Sequence, residues 1–298
     1  MTASTTARLP MWRSLLFVPA NVKRFIAKAP SVGADGVQLD LEDSVAASEK
    51  AAARRGLAKI ARRVAAEGAD VTVRINRPWR LAVRDLEEAV VPEIAAVACP
   101  MVECADHLRA ISEVISEIES ERGLEVGRIG ILAAVETAAG FFRLSEIAGA
   151  DPRVVALSLG SEDFCLSAGM SSEPETLRYP KQQVVLAARA AGIVPMGFIG
   201  SIAEFSDPAV FREVVRRSKR FGFRGAACIH PNQVRICNEE FGASPEEVAR
   251  AERIVNAYDA ALAEGVGAIQ VDGIMVDVPV ADAARELLRL HRARSGKG

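Results

Sequence analysis

Short apolar runs recur along the chain, each followed by a longer amphipathic stretch, and this alternation happens eight times. The runs lie at 13–18, 36–41, 71–75, 96–101, 129–135, 154–159, 193–198 and 225–229. They are continuous stretches rich in Val, Ile and Leu, as in strands buried on both faces. The stretches between them, at 22–29, 48–67, 81–90, 105–122, 141–148, 180–191 and 208–221, read as helices. Asp207-Pro208 places a cap residue before a proline in the first turn. Gly68, Gly123, Gly192 and Gly222 stand where a left-handed residue ends a helix. Strands buried on both faces must be parallel and covered by helices, so the class is α/β. Eight repeats over roughly 230 residues fit a (β/α)8 TIM barrel. A doubly wound open sheet is the alternative. It is disfavoured by Pro19-Ala20-Asn21, which follows the first strand where a glycine-rich phosphate loop belongs.

The expected division is a barrel over 11–240 and a C-terminal extension over 241–298. Ser244-Pro245-Glu246-Glu247 opens a helix with a capping box. That helix runs to Glu264, a hairpin spans 265–275 and a last helix spans 279–292. The extension reads as a lid or an arm for contact between subunits.

Composition narrows the class further. Of the 298 residues, 50% are hydrophobic and 26% charged, too apolar for a disordered chain. The net charge of -2 argues against a general nucleic-acid or membrane-surface binder. No stretch has the apolar length needed to cross a bilayer. Leu15 to Ala20 is too short for a secretory core and is flanked by Arg13 and Lys23. Five cysteines, with no CxxC pair and with His107 the lone histidine beside Cys104, do not make a zinc site. They are expected as reduced, mostly core thiols of a cytoplasmic protein.

A barrel builds its active site at the C-terminal ends of its strands. Polar residues gather there: Asp40, Glu42 and Asp43 after the second strand, Arg74 and Asn76 after the third, and Glu136 after the fifth. Glu162 and Asp163 follow the sixth, and His230 the eighth. Strands must leave a core somewhere, which explains one or two such residues but poorly explains an acidic set with an arginine set inside an apolar run. Carboxylates converging in a cleft need a counter-charge. Oxygen donors without His or Cys point to Mg2+, with Mn2+ the alternative, and no organic cofactor is expected. Arg74 offers a bidentate fork for a carboxylate or phosphate. Metal plus arginine implies an anionic, oxygen-rich substrate such as a keto or hydroxy acid. A structural salt-bridge network is the competing reading of the same residues.

Arg13-Ser-Leu-Leu-Phe-Val-Pro-Ala, Gln38-Leu-Asp-Leu-Glu-Asp-Ser-Val and Val73-Arg-Ile-Asn form an ordered series. It continues through Ala134-Val-Glu-Thr-Ala-Ala-Gly, Ala156-Leu-Ser-Leu-Gly-Ser-Glu-Asp-Phe, Cys228-Ile-His-Pro-Asn-Gln and Gly273-Ile-Met-Val-Asp-Val-Pro. The series resembles the HpcH/HpaI aldolase and citrate lyase beta-subunit family. The resemblance implies a barrel of the phosphoenolpyruvate/pyruvate superfamily, assembled as a homo-oligomer, a trimer or hexamer. It implies Mg2+-dependent cleavage of a 3-hydroxyacyl thioester, of malyl-CoA, citramalyl-CoA or citryl type, to a 2-keto acid and an acetyl thioester. Thioester hydrolysis, or activity only inside a citrate lyase assembly, are the alternatives. On the matching positions Glu136 and Asp163 are implied as metal ligands, with Glu136 also near the substrate. Arg74 is implied as the substrate clamp, with Arg13 as a second cationic contact near it. Asp40, Glu42 and Asp43 match the acidic cluster that orders metal-bound water, and Asp277 matches an acid/base delivered by a neighbouring subunit.

The chain departs from the family pattern at Gly225-Ala-Ala-Cys-Ile-His-Pro, where a lysine is common, and at Pro19-Ala20, where Pro-Gly is usual. It also has no aspartate in 195–200, after the seventh strand. His230, before Pro231, reads as a hydrogen-bonded structural residue. Lys23 and Arg24 are candidates for CoA phosphates but equally solvated charges, and Arg216, Arg217, Lys219 and Arg220 read as a solvated helix face.

Overall fold

The computed structural model describes residues 9–199 and 207–295, and Gly200, the last residue of the seventh-strand motif, lies outside them. The chain forms two compact units, one ending at Asn238 and the other beginning at Glu239.

The first unit is the expected barrel. Its strands are β1 (Ser14–Pro19), β2 (Gly36–Asp40), β3 (Asp70–Arg74), β4 (Ile94–Cys99), β5 (Gly130–Val135), β6 (Val154–Leu159), β7 (Val194–Met196) and β8 (Ala226–Cys228). All neighbouring pairs are parallel, in the order β7-β6-β5-β4-β3-β2-β1-β8. An isolated bridge from Met196 to Gly225 joins the last two, with Gly197 N–H donating to the Gly225 carbonyl at 2.9 Å. The doubly wound alternative is thereby excluded.

The helices are α1 (Lys23–Lys28), α2 (Lys50–Arg55), α3 (Leu57–Ala65), α4 (Trp79–Ala89), α5 (Ala105–Glu121), α6 (Ala138–Phe141) and α7 (Leu144–Ala148). There follow α8 (Ser161–Ala168), α9 (Pro174–Ala190), α10 (Pro208–Arg220) and α11 (Pro231–Glu240). Several differ from expectation. The single helix over 48–67 breaks at Gly56, which serves both as C-cap of α2 and N-cap of α3. Helix α9 begins at Pro174 rather than Pro180, because Glu173 and Thr176 cap it reciprocally and Pro180 sits one turn and a half inside. Helices α8 and α11 were not anticipated, since each starts within residues read as strand-end site motifs.

The barrel interior is filled by Trp12, Leu15, Ala96, Ala98, Leu132, Ala156, Val194 and Met196. Trp12 plugs the N-terminal end, where its indole donates to Asp70 at 2.8 Å. A Cβ on Gly225 would fall 1.8 Å from the Trp12 carbonyl, so only glycine lets β8 close against the plug. At the same end, Glu119 takes two hydrogen bonds from the Arg153 guanidinium, 2.6 and 3.1 Å, and two from the Gly127 and Ile129 amides. This buried pair fixes the loop between α5 and β5.

The second unit consists of α12 (Pro245–Ala263), the antiparallel hairpin β9 (Ile269–Val271) and β10 (Ile274–Val276), and α13 (Val278–Ser295). Ser244 and Glu247 form the expected capping box. Tyr258, Val276, Ala281 and Leu288 are among its buried core. Among the described residues no helix is long and apolar enough to cross a membrane.

Candidate active site

Each site residue is set by the exit of a buried strand. Asp40 is the last residue of β2 and is 1% exposed. Its carboxylate accepts from the Glu42 and Ser44 amides, both at 3.1 Å, and from the Ser44 hydroxyl. The chain therefore turns tightly around Asp40 and projects Glu42 and Asp43 over the barrel mouth. Arg74, the last residue of β3 and the register partner of Asp40, donates to it through Nε at 2.6 Å and Nη2 at 2.8 Å. Its Nη1 lies 2.7 Å from Glu42 Oε2 and 3.3 Å from Asp43 Oδ2. The guanidinium also stacks over Phe17, 5.0 Å from the ring centre. One edge of the Arg74 fork is thus committed to Asp40, and the edge that faces Glu42 and Asp43 is the one a substrate carboxylate could meet.

Glu136 follows β5. It accepts from the Met101 amide at 2.7 Å. Met101 adopts φ 51°, a left-handed conformation rare for a side-chain-bearing residue. Strain at such positions persists where the surroundings hold it, here with the Met101 carbonyl accepting from Arg77 at 3.3 Å. On its other side Glu136 lies against Gly160, where a Cβ would approach its Cγ and Oε1 to 2.6 Å. Asp163 stands in the first turn of α8 and lines the same cavity.

That cavity, about 240 Å³, opens among Phe17, Arg74, Glu136, Asp163, Lys181 and Phe198. Its electrostatics are those of crowded acids. Burial, followed by the charges of Asp43, Glu136 and Asp40 against the opposing pull of Arg74, raises the Glu42 carboxyl to about 8. Burial and the nearby Asp163 raise Glu136 to about 7 against the Met101 hydrogen bond. Burial also pushes Asp40 upward, but the two Arg74 bonds outweigh it and hold Asp40 below its usual value. Burial brings the Lys181 ammonium down to about 7.

The donor chemistry suits a hard divalent cation. Glu42 Oε2 is a buried carboxylate oxygen with no well-formed hydrogen bond. Among the described residues no group of three or more His, Cys, Asp or Glu is assembled as a metal cage. Mg2+ is typically held by one or two carboxylates, with water and substrate supplying the other oxygens. Glu136 and Asp163, which both line the cavity, are two carboxylates of the kind such an ion takes, whereas a structural zinc site would require four protein ligands.

The structure brings Asp40, Glu42, Asp43, Arg74, Glu136 and Asp163 together at one end of the barrel. It does not bring Arg13 there. Arg13 precedes β1, at the opposite end of the strands, and its guanidinium forms a two-bond pair with Asp35 at 2.8 Å and donates to the Asn238 carbonyl. The expected contact near Arg74 is corrected accordingly: a residue entering a strand cannot reach the end at which the strand exits. Asp277 belongs to the second unit, between β10 and α13, where its carboxylate accepts from the Val280 amide at 3.4 Å. His230 caps α11, accepting at Nδ1 from Asn232 and at its carbonyl from Gln233. The five cysteines are free thiols, and four are buried. Sequence reasoning missed Met101, Gly160 and Lys181. Gly160 lies inside a quoted motif, but its role depends on where Glu136 points.

Residues 13–231 match the HpcH/HpaI aldolase/citrate lyase family, and the chain belongs to that family. It is 34% identical over 281 residues to citrate lyase subunit beta of Escherichia coli K12, covering 93% of this chain and 92% of that protein. It is 33% identical over 300 residues to the L-malyl-CoA/beta-methylmalyl-CoA lyase of Rhodobacter capsulatus, covering 93% of each. The fold is similar to CitE of Mycobacterium tuberculosis in complex with magnesium, acetoacetate and coenzyme A, with a TM-score of 0.73 and 30% identity over 94% of this chain and 97% of that one.

Proposed function

We propose that this chain is a Mg2+-dependent carbon–carbon lyase that cleaves a 3-hydroxyacyl thioester to a 2-keto acid and an acetyl thioester. The observation that carries the reading is one cavity lined by Arg74, Glu136 and Asp163, in which burial, with Asp163 beside it, raises the proton affinity of Glu136. Such a site is made for a cation and an anionic, oxygen-rich ligand. Glu136 and Asp163 would hold the metal, and Mg2+ when bound there supplies Lewis acidity toward the hydroxyl and carboxylate oxygens of the acyl group. Arg74 holds the acyl carboxylate on its outward edge and is itself held by Asp40. Glu42 and Asp43 crowd that edge and order water beside the ligand. Loss of the hydroxyl proton to a carboxylate at the barrel mouth, with cleavage of the bond between the hydroxyl-bearing carbon and its neighbour, gives the 2-keto acid and leaves the electron pair as the enolate of the thioester. Asp277 gives a proton to that carbon, and in the reverse direction removes one. The second unit then works as a lid or as an arm between subunits of a homo-oligomer in the cytoplasm.

The test is a panel of malyl-, citramalyl- and citryl-CoA with Mg2+, read for keto acid and for free thiol. Release of keto acid without free thiol is expected. Free thiol in equal amount to substrate consumed would instead make the chain a thioesterase. The similarity to citrate lyase subunit beta favours a second reading, in which the chain acts only within an assembly. No turnover by the purified chain on any of the three thioesters would select it.

A further inference from the structure

Lys50 opens α2, yet its ammonium is spent entirely on the exits of β2 and β3. It donates to the Leu41 carbonyl at 3.0 Å, to the Glu42 carbonyl at 2.7 Å and to Asn76 Oδ1. An ammonium has three N–H bonds, and each has a partner. Asn76 Nδ2 donates to the same Leu41 carbonyl at 3.0 Å and to Asp85 at 2.7 Å, and Asp85 accepts from Arg54 at 2.6 Å. The two strand exits that carry Glu42 and Arg74 are therefore laced together by one side chain.

We propose that Lys50 is a positioning residue: its ammonium fixes the step from Leu41 to Glu42, which sets the Glu42 carboxylate against Arg74 and so orients the edge of Arg74 that receives the substrate carboxylate. This rests on the assignment of Arg74 as the substrate clamp. A purely structural role fits the surroundings less well. The ladder between the exits is already closed by Leu41 N–H donating to the Arg74 carbonyl at 3.0 Å. Helix α3 behind it is anchored by fully buried Leu57, Ala61 and Val64, and α2 by buried Ala53 and Arg54. Lys50 itself is only half-buried, and strand-exit carbonyls can take water in its place. What no water replaces is a single cation bridging three acceptors on two chain segments.

The test compares Lys50→Met and the milder Lys50→Gln with the full-length protein, in the wild-type and Glu42→Gln backgrounds. Two measurements are made: steady-state kinetics with the thioester, and amide hydrogen exchange at residues 42–45 without substrate. Lys50→Met should raise KM by about tenfold with kcat within about threefold, the size of a coupling between directly contacting groups. In the Glu42→Gln background the same change should add little, because the ion pair it serves is already gone. Exchange at 42–45 should quicken in both single variants, less in Lys50→Gln. Equal kinetic effects in the two backgrounds, or unchanged exchange, overturn the proposal. If Lys50→Met fails to fold, Lys50→Gln carries the same comparison. Absence of lyase activity in the wild-type protein would count against the proposed function alone, since the exchange measurement decides the role of Lys50 without substrate.

Discussion

Arg74 carries more of the site than any other residue, and its two edges do different things. Its Nε–Nη2 edge holds Asp40, and its Nη1 side faces Glu42 and Asp43. A lysine cannot copy two parallel bonds. Arg74→Lys is expected to cost about 2–5 kcal/mol of binding, nearly as much as Arg74→Ala, measured as the change in KM. Full activity in Arg74→Lys would remove Arg74 from the clamp. Glu136 depends on the bare backbone of Gly160. Gly160→Ala should displace the carboxylate and weaken Mn2+ binding by about 10–100-fold, the usual effect of disturbing a ligand's supports. A Mn2+ titration followed by electron paramagnetic resonance reads this without turnover. Glu136→Gln and Asp163→Asn should each abolish metal-dependent activity while the far-ultraviolet circular dichroism stays that of the wild type. Retention of activity by either would assign the ligands elsewhere.

At the scale of elements, strands were legible and boundaries of helices less so. A strand such as β5 is fully apolar because both its faces are covered, and that shows in residue type alone. Helix α8 was not legible. It is eight residues long, begins with Ser161-Glu162-Asp163 and has no clear apolar face, so its residues read only as a polar strand end. Helix α9 hid its start for another reason: Pro180 resembles a first-turn proline, and the true cap, Glu173 with Thr176, uses a glutamate at a position where serine or aspartate is the usual signal. The acidic set was legible because barrel strands end in loops where charged residues have to be explained. The entry of β1 was misread because Arg13 sits in a recognisable motif whose direction along the strand matters more than its composition. The loop joining α5 and β5 gives a stability prediction. Arg153→Met would leave the fully buried Glu119 carboxylate without its cation, at an expected cost of about 3–5 kcal/mol in denaturant unfolding. A loss below about 1 kcal/mol would show that the Gly127 and Ile129 amides suffice.

For the whole molecule, the crowded carboxyls link stability to pH and to metal. Glu42 at about 8 and Glu136 at about 7 both lie above the ordinary glutamate value of 4.5. The folded protein therefore keeps protons that the unfolded chain has lost. The stability contributed by these protons is complete below about 4.5 and disappears as pH rises through about 7 and 8. Without divalent cation, the melting temperature is expected to fall between pH 5 and about 8.5 through this contribution. Mg2+ should flatten the slope, because it replaces the protons as counter-charge. A slope unaffected by Mg2+ would place the metal away from these carboxyls.

The seam of the barrel has its own consequence. Strands β7 and β8 have three residues each, and among the described residues one isolated bridge, Met196 to Gly225, joins their register, with the Arg224 amide donating to the Pro195 carbonyl at 3.1 Å beside it. Elsewhere the ladders run over longer pairings, as between β1 and β2. Local opening follows the part of a structure with the fewest hydrogen bonds to break. The wall should therefore part first along this line, as a zip parts from its short end, exposing the Gly197 amide to exchange well before the amides of β2 and β3. The cavity shares that wall, with Met196, Gly197 and Ala227 among its lining. Opening along this line should therefore bare one wall of the cavity before it disturbs the strand exits that carry Asp40 and Arg74.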